Sequence, residues 1–181
     1  SLERKIQTYA KLIKNNINLD EIIDIAKSNF FTIKNDDIIL PPAKRISLAS
    51  DKAFSFIYPH ILDNWKKSGV EIKPFSPLNN EVPDKDADLI WLPGGYPELY
   101  AKELSEANLT RNALHKLSKD VKIHGECGGY MSLGEALVDK NGNIFKMFGL
   151  LGLVSSYEKR KLHLGYRIAK IKNNSYNYTK F

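Results

Sequence analysis

From Arg45 onward the sequence alternates short apolar runs with stretches of helical period, and this limits the fold more than any other feature. Arg45–Ala49 predicts a strand. Phe56–Ser68, with Pro59 in the first turn and Gly69 just past the end, predicts a helix. Val70–Phe75, Leu89–Leu92 and Val121–His124 predict three further strands, and Leu99, Leu104, Leu114 and Leu117 supply the apolar positions of helices between the last two. Strands that alternate with helices must run parallel and be joined by crossovers. The expected fold class is therefore α/β, an open, mostly parallel sheet with helices on both faces. After residue 137, Asp139–Asn143 predicts a turn, and Phe145–Ser155 and Leu162–Ile171 predict strands.

The residues before Arg45 follow another pattern. Leu2, Ile6, Tyr9, Leu12 and Ile13 recur at helical spacing, and Asn18-Leu19-Asp20-Glu21 offers an N-cap with an acid three residues on. Asp36, Asp37, Pro41 and Pro42 then break regular structure. The expected division is a helical linker over 1–43 and a main domain over 44–181. A length of 181 residues suits one full-sized domain with an appendage. The opening Ser1, with no initiator Met, reads as the start of an excised piece.

Composition excludes several classes. Hydrophobic residues at 43% and charged residues at 27% are an ordinary globular mix, which argues against disorder. No apolar run reaches the roughly 18 residues of a membrane span, and the first residues lack a secretory core, so a cytoplasmic protein without membrane association is expected. A single cysteine, Cys127, has no partner for an internal disulfide. The net charge of +6 resides in the last quarter of the chain, where 138–181 hold 9 Lys and Arg against 2 Asp and Glu. Tyr157, Tyr166, Tyr176 and Tyr178 could stack on bases there, but no nucleic-acid motif accompanies them, and a solvated face is the expectation.

In open α/β sheets ligands bind at the carboxyl ends of the strands. Two such places are rich in glycine: Pro93-Gly94-Gly95-Tyr96-Pro97-Glu98 after one strand and Gly125-Glu126-Cys127-Gly128-Gly129-Tyr130 after another. The second is patterned as a nucleophile elbow, in which a reactive side chain sits on a strained strand-to-helix turn among small neighbours. A helix beginning at Gly128 would aim free N–H groups towards Cys127 and a developing oxyanion, and the Gly94-Gly95 backbone could supply a second donor. Cys127 could instead be a small buried hydrophobe and the glycine pair merely a turn needing positive φ; three glycines around one cysteine favour the nucleophile. Of four histidines, His60 and His115 fall on helices and His124 alternates to the face opposite Cys127. His163, between leucines, reads as an ordinary strand histidine, so no base is evident. Neither a zinc-ligand spacing nor a Gly-x-x-x-x-Gly-Lys-Ser/Thr phosphate loop occurs.

These strings carry a resemblance. Asp51-Lys52-Ala53-Phe54-Ser55-Phe56, Phe75-Ser76-Pro77-Leu78, Leu92-Pro93-Gly94-Gly95-Tyr96-Pro97-Glu98-Leu99-Tyr100, Gly125-Glu126-Cys127-Gly128-Gly129 and Leu162-His163-Leu164-Gly165-Tyr166-Arg167 resemble the triad-type (class I) glutamine amidotransferase domain of the cobyrinate (hydrogenobyrinate) a,c-diamide synthase family. The resemblance implies Cys127 as the catalytic nucleophile towards glutamine. It further implies the N–H groups of Gly95 and Gly128 as oxyanion donors, and Gly94, Ser155 and Ser156 at the bound substrate. No metal or cofactor is expected in this chain; ATP, Mg and the corrin precursor would be held by an upstream domain it lacks. The family's catalytic histidine falls beyond the Gly165-Tyr166-Arg167 match, so the chain is expected to be inactive alone. A nickel-sirohydrochlorin a,c-diamide synthase and a non-catalytic amidotransferase-like subunit are the alternatives, and a homodimer is left open.

Overall fold

The computed structural model describes residues 2–26, 40–159, 165, 166 and 168. The chain divides into two units, Ser1–Ile38 and Ile39–Phe181. In the first, helix α1 (Leu2–Asn16) carries the expected apolar stripe, and α2 (Leu19–Ile25) starts where Asn18 accepts the N–H groups of Asp20 and Glu21. Neither helix buries a residue.

The second unit is built on strands β1 (Arg45–Ala49), β2 (Glu71–Phe75), β3 (Leu89–Leu92) and β4 (Lys122–Gly125), all parallel, in the order β2-β1-β3-β4. The order explains the residues. Pro74 lacks an N–H and lies in β2, an edge strand where none is needed for a second neighbour. Central β3 is Leu-Ile-Trp-Leu, apolar towards both faces because both are covered. Ile90 and Leu92 pack with Leu104 and Ala107, at the ends of α4 (Ala101–Glu106) and α5 (Asn108–Leu117), and with Leu114 and Leu133. Leu89 and Trp91 face the other way, against Ile46 and against Trp65, Ile61 and Leu62 of α3 (Pro59–Lys67).

Long-range polar contacts fix the layers. Ala107 at the N-cap of α5 has no capping side chain, so Asn80, itself at φ 56°, accepts the N–H groups of Leu109 and Thr110. Arg111 is buried and donates to the carbonyl oxygens of Met147 and Ser105 and to Asn108 Oδ1.

Beyond β4 come α6 (Gly128–Ser132) and a second sheet of β5 (Ala136–Val138), β6 (Ile144–Lys146) and β7 (Val154–Ser156) in the order β6-β5-β7. The Asp139–Asn143 turn forms as expected, with Asp139 accepting from the N–H groups of Asn141 and Asn143. Two expectations are corrected and one element is new. The helix after β1 begins at Pro59, because Phe56 is held in an isolated bridge to Gly94. The single strand expected over Phe145–Ser155 is two, separated by a turn in which Gly149 sits at φ 71°. Strand β5 was not anticipated, its three residues being too few to show a period. The Leu162–Ile171 expectation lies mostly outside the described residues, and Gly165, Tyr166 and Ile168 are not in a strand.

Candidate active site

Cys127 stands two residues past the end of β4 and immediately before α6, exposed, at φ 47° and ψ −113°. The turn is closed by backbone bonds on either side: Glu126 N–H to the Leu92 oxygen (3.2 Å), Gly129 N–H to the Glu126 oxygen (2.8 Å) and Met131 N–H to the Cys127 oxygen (3.1 Å). A non-glycine residue in this region of backbone space is strained, and the surrounding structure holds it there.

The glycines around it serve close approach. Positive φ is not what they provide, since the described glycines with positive φ are Gly69, Gly142, Gly149 and Gly165, none of them in the two glycine-rich strings. A Cβ on Gly129 would lie 1.9 Å from the Leu92 oxygen, so only glycine lets α6 start directly over the end of β3. A Cβ on Gly128 would lie 2.7 Å from Pro97 Cδ and 3.1 Å from the Gly95 nitrogen. The two glycine-rich strings thus touch backbone to backbone. Gly94, Gly95 and Gly128 are buried, and the N–H groups of Gly95 and Gly128 donate to no described backbone carbonyl. Buried backbone donors are seldom left unpaired, and two of them close together beside an exposed thiol are free to hydrogen-bond a polar ligand atom.

The rim is aromatic. Phe56 and Tyr96, both partly exposed, meet edge to face at 4.9 Å, and Phe56 joins Ile57, Tyr58, Trp91, Pro93 and Glu126 around an apolar recess beside the turn. Two buried polar atoms in the vicinity lack partners among the described residues: Trp91 Nε1 in the recess and Glu98 Oε2 in the Pro-Gly-Gly string.

The expected substrate-binding serines are less closely joined to this centre. Ser155 and Ser156 lie on β7, opposite Leu137 and Val138, and Ser156 Oγ accepts the Glu158 N–H. The link from this segment to the elbow is Tyr157, whose hydroxyl reaches Met131 Sδ in α6 at 3.7 Å. The described histidines have other contacts. His124 packs against the Trp91 ring at 5.1 Å, His60 against Tyr58 at 6.1 Å, and His115 Nε2 is 2.7 Å from the Phe148 oxygen. His163 lies outside the described residues. Among the described residues no group of three His, Cys, Asp or Glu could hold a metal ion, and no helix is long and apolar enough to cross a membrane.

One contributor escaped the sequence reading as a site residue. Asp51 accepts the Ala53 N–H through Oδ1 and both the Ser76 hydroxyl and the Leu78 N–H through Oδ2, which shapes the loop lying against Gly94 and Gly95. An aspartate two residues past a strand, with a small residue, Ala53, two positions on, was the available signal.

Comparison with known proteins bears on this centre. Residues 45–178 match the CobB/CobQ-like glutamine amidotransferase domain. The chain is 46% identical over 170 residues to the hydrogenobyrinate a,c-diamide synthase of Rhodobacter capsulatus, covering 94% of this chain and 39% of the relative. It is 51% identical over 136 residues to that of Mesorhizobium japonicum and 50% over 137 to that of Agrobacterium fabrum, covering 75% and 76% of this chain and 31% of each relative. The chain therefore spans well under half the length of these relatives. A solved structure from Listeria monocytogenes EGD-e, named for peptidase E, superposes with a TM-score of 0.44 at 11% identity over 60% of this chain and 63% of that one. With the family matched across the whole α/β sheet, the Cys127 elbow and the glycine pair, the chain belongs to the CobB/CobQ-like glutamine amidotransferase domains and is similar to the hydrogenobyrinate a,c-diamide synthases.

Proposed function

We propose that this domain is the glutaminase of a glutamine-dependent a,c-diamide synthase. What carries the reading is the placement of an exposed thiol on a strained turn beside two buried, unengaged backbone N–H groups. Cys127 Sγ attacks the side-chain amide carbon of glutamine, and the carbonyl oxygen becomes an oxyanion received by the N–H groups of Gly95 and Gly128. The C–N bond then breaks, the nitrogen takes a proton and leaves as ammonia, and the γ-glutamyl thioester is hydrolysed by water to glutamate and free thiol. Gly94 lets the substrate approach the sulfur, and the Ser155-Ser156 segment holds the amino-acid end of glutamine.

Ammonia would be consumed at a second site, in amidation of the a and c carboxylates of a hydrogenobyrinate-like macrocycle, the activity for which the relatives are named. ATP and magnesium belong to that site in this reading, and a partner subunit or homodimer is not required by it. A general base is supplied from outside the described residues, because none of His60, His115 and His124 hydrogen-bonds the Cys127 sulfur.

The test is covalent and does not need turnover. The diazoketone 6-diazo-5-oxo-L-norleucine places its ketone where the amide carbonyl would sit; the Cys127 sulfur adds to the ketone carbon to give an oxyanion, the diazo carbon takes one proton from solvent, and the sulfur then passes to that carbon as N2 leaves and the ketone re-forms. The expected result is one label per chain, on Cys127, with protection by glutamine but not by its D-enantiomer. Equal labelling with and without glutamine overturns the reading.

A further inference from the structure

The Asp51–Phe56 string is unexplained by the reaction above, yet it is built against Gly94 and Gly95, the second of which supplies an oxyanion donor. Phe56 N–H donates to the Gly94 oxygen at 3.0 Å. In a trans peptide the C=O and the following N–H point in opposite directions. Fixing the Gly94 oxygen on the Phe56 side therefore turns the Gly95 N–H away from Phe56, and the contact of Gly128 with the Gly95 nitrogen lies within reach of that amide. The Ala53 carbonyl presses on Gly95 from the same loop, where a Cβ would lie 2.0 Å from the Ala53 oxygen. The Phe56 ring completes the hold: a Cβ on Gly94 would come 3.0 Å from Phe56 Cδ2, and Tyr96 braces the ring edge-on.

The loop is in turn anchored away from the site. Both carboxylate oxygens of Asp51 are engaged, Oδ1 by Ala53 N–H at 2.8 Å and Oδ2 by the Ser76 hydroxyl and Leu78 N–H, each at 3.0 Å. Ser76 N–H is held by Glu81 at 2.7 Å. A chain of bonds thus runs from the end of β2 through Asp51 to the peptide that carries the Gly95 N–H.

We propose that Asp51 and Phe56 are positioning residues that preset the Gly94–Gly95 peptide, so that the Gly95 donor faces the substrate oxygen before glutamine arrives. The inference deepens the glutaminase reading and rests on it. Neither residue touches the reacting atoms in this account. Their effect falls on the step in which negative charge develops, and glutamine affinity is left to other groups.

The experiment measures inactivation of the 181-residue chain by 6-diazo-5-oxo-L-norleucine at pH 8 over a range of reagent concentrations, giving a limiting rate and a half-saturating concentration, with iodoacetamide as a reagent that needs no oxyanion donor. Phe56→Ala alters a partly exposed side chain and keeps the fold. Asp51→Asn removes an acceptor from the Ser76 and Leu78 bonds, and its folding is checked by thermal melting. The expected limiting rate falls about tenfold in Asp51→Asn and several-fold in Phe56→Ala. The half-saturating concentration and the iodoacetamide rate stay within twofold of wild type. Unchanged limiting rates in folded variants overturn the proposal and leave the glutaminase reading intact, as does a rise in half-saturating concentration alone. If Asp51→Asn does not fold, Phe56→Ala decides. A wild-type chain that reacts with iodoacetamide but shows no glutamine-protected reaction with the diazoketone overturns both.

Discussion

Gly94 and Cys127 stand in direct contact, close enough that a Cβ on Gly94 would lie 3.3 Å from the Cβ of Cys127. The same added carbon would press on Phe56, and Gly94 does not occupy a positive φ, so alanine is admissible to the backbone but crowds the Cys127 side chain. Gly94→Ala is expected to melt within a few degrees of wild type and to lose about tenfold in its diazoketone reaction rate. Rate assays alongside thermal melts check this; a rate loss that merely tracks unfolding counts against it.

Cys127 itself stores strain at φ 47° and ψ −113°. Cys127→Gly relieves it and is expected to raise unfolding free energy by about 1 kcal/mol, whereas Cys127→Ala gives no gain. Urea denaturation of both variants provides the comparison. A stabilised alanine variant would show that the thiol, and not the backbone, is the costly feature.

Two glycines should fail for different reasons. Gly129→Ala forces a carbon to within 1.9 Å of the Leu92 oxygen and is expected to cost about 3 kcal/mol or prevent folding. Gly142→Ala meets nothing within 4 Å but must adopt φ +84°, and about 1 kcal/mol is expected. Equal costs in denaturant titrations would contradict this steric account.

Arg111 joins α5 to the Met147 carbonyl while buried, and burial pushes its guanidinium below its ordinary value. Arg111→Met removes donors from the Met147 and Ser105 carbonyls and from Asn108, and a loss of about 3 kcal/mol is expected. A variant within 1 kcal/mol of wild type in urea, on the same scale as an ordinary exposed hydrogen bond, would place the weight of this joint elsewhere.

Acid should loosen the β1–β2–β3 end of the sheet. The Lys73 ammonium holds Asp84 below its ordinary value, and the Arg45 guanidinium does the same for Asp88. A carboxylate depressed in the folded state adds stability that is complete above its unfolded pKa of about 3.9 and is lost as pH falls through the lower folded value. The melting temperature is therefore expected to drop below about pH 4. The drop should be smaller in the Asp84→Asn, Asp88→Asn double variant. Parallel curves for the two proteins would exclude these pairs as the cause.

The centre of the sheet was legible because β1 and β3 are largely buried: Leu89–Leu92 reads as an unbroken apolar run and forms the strand so bounded. Asn18 was legible for a local reason, a cap being settled within four residues. What could not be read were contacts decided by distant chain. Nothing near Phe56 says that Gly94 will hold it out of the helix, and nothing near Ala107 says that Asn80 will cap α5. At the site, the need for small residues around Cys127 was visible, but the reason was not positive φ; it was backbone packed on backbone, which appears only once Leu92, Pro97 and Ala53 are in place. Asp51 was visible as part of a string without a task, since its partners Ser76 and Leu78 lie 25 and 27 residues away.

The exposed sulfur at the turn has a practical corollary. With no second cysteine in the chain to capture it, air oxidation can join two molecules only through their elbows. A covalent dimer on a non-reducing gel would thus be a population blocked at both mouths, and its growth during storage would measure how openly each thiol is displayed.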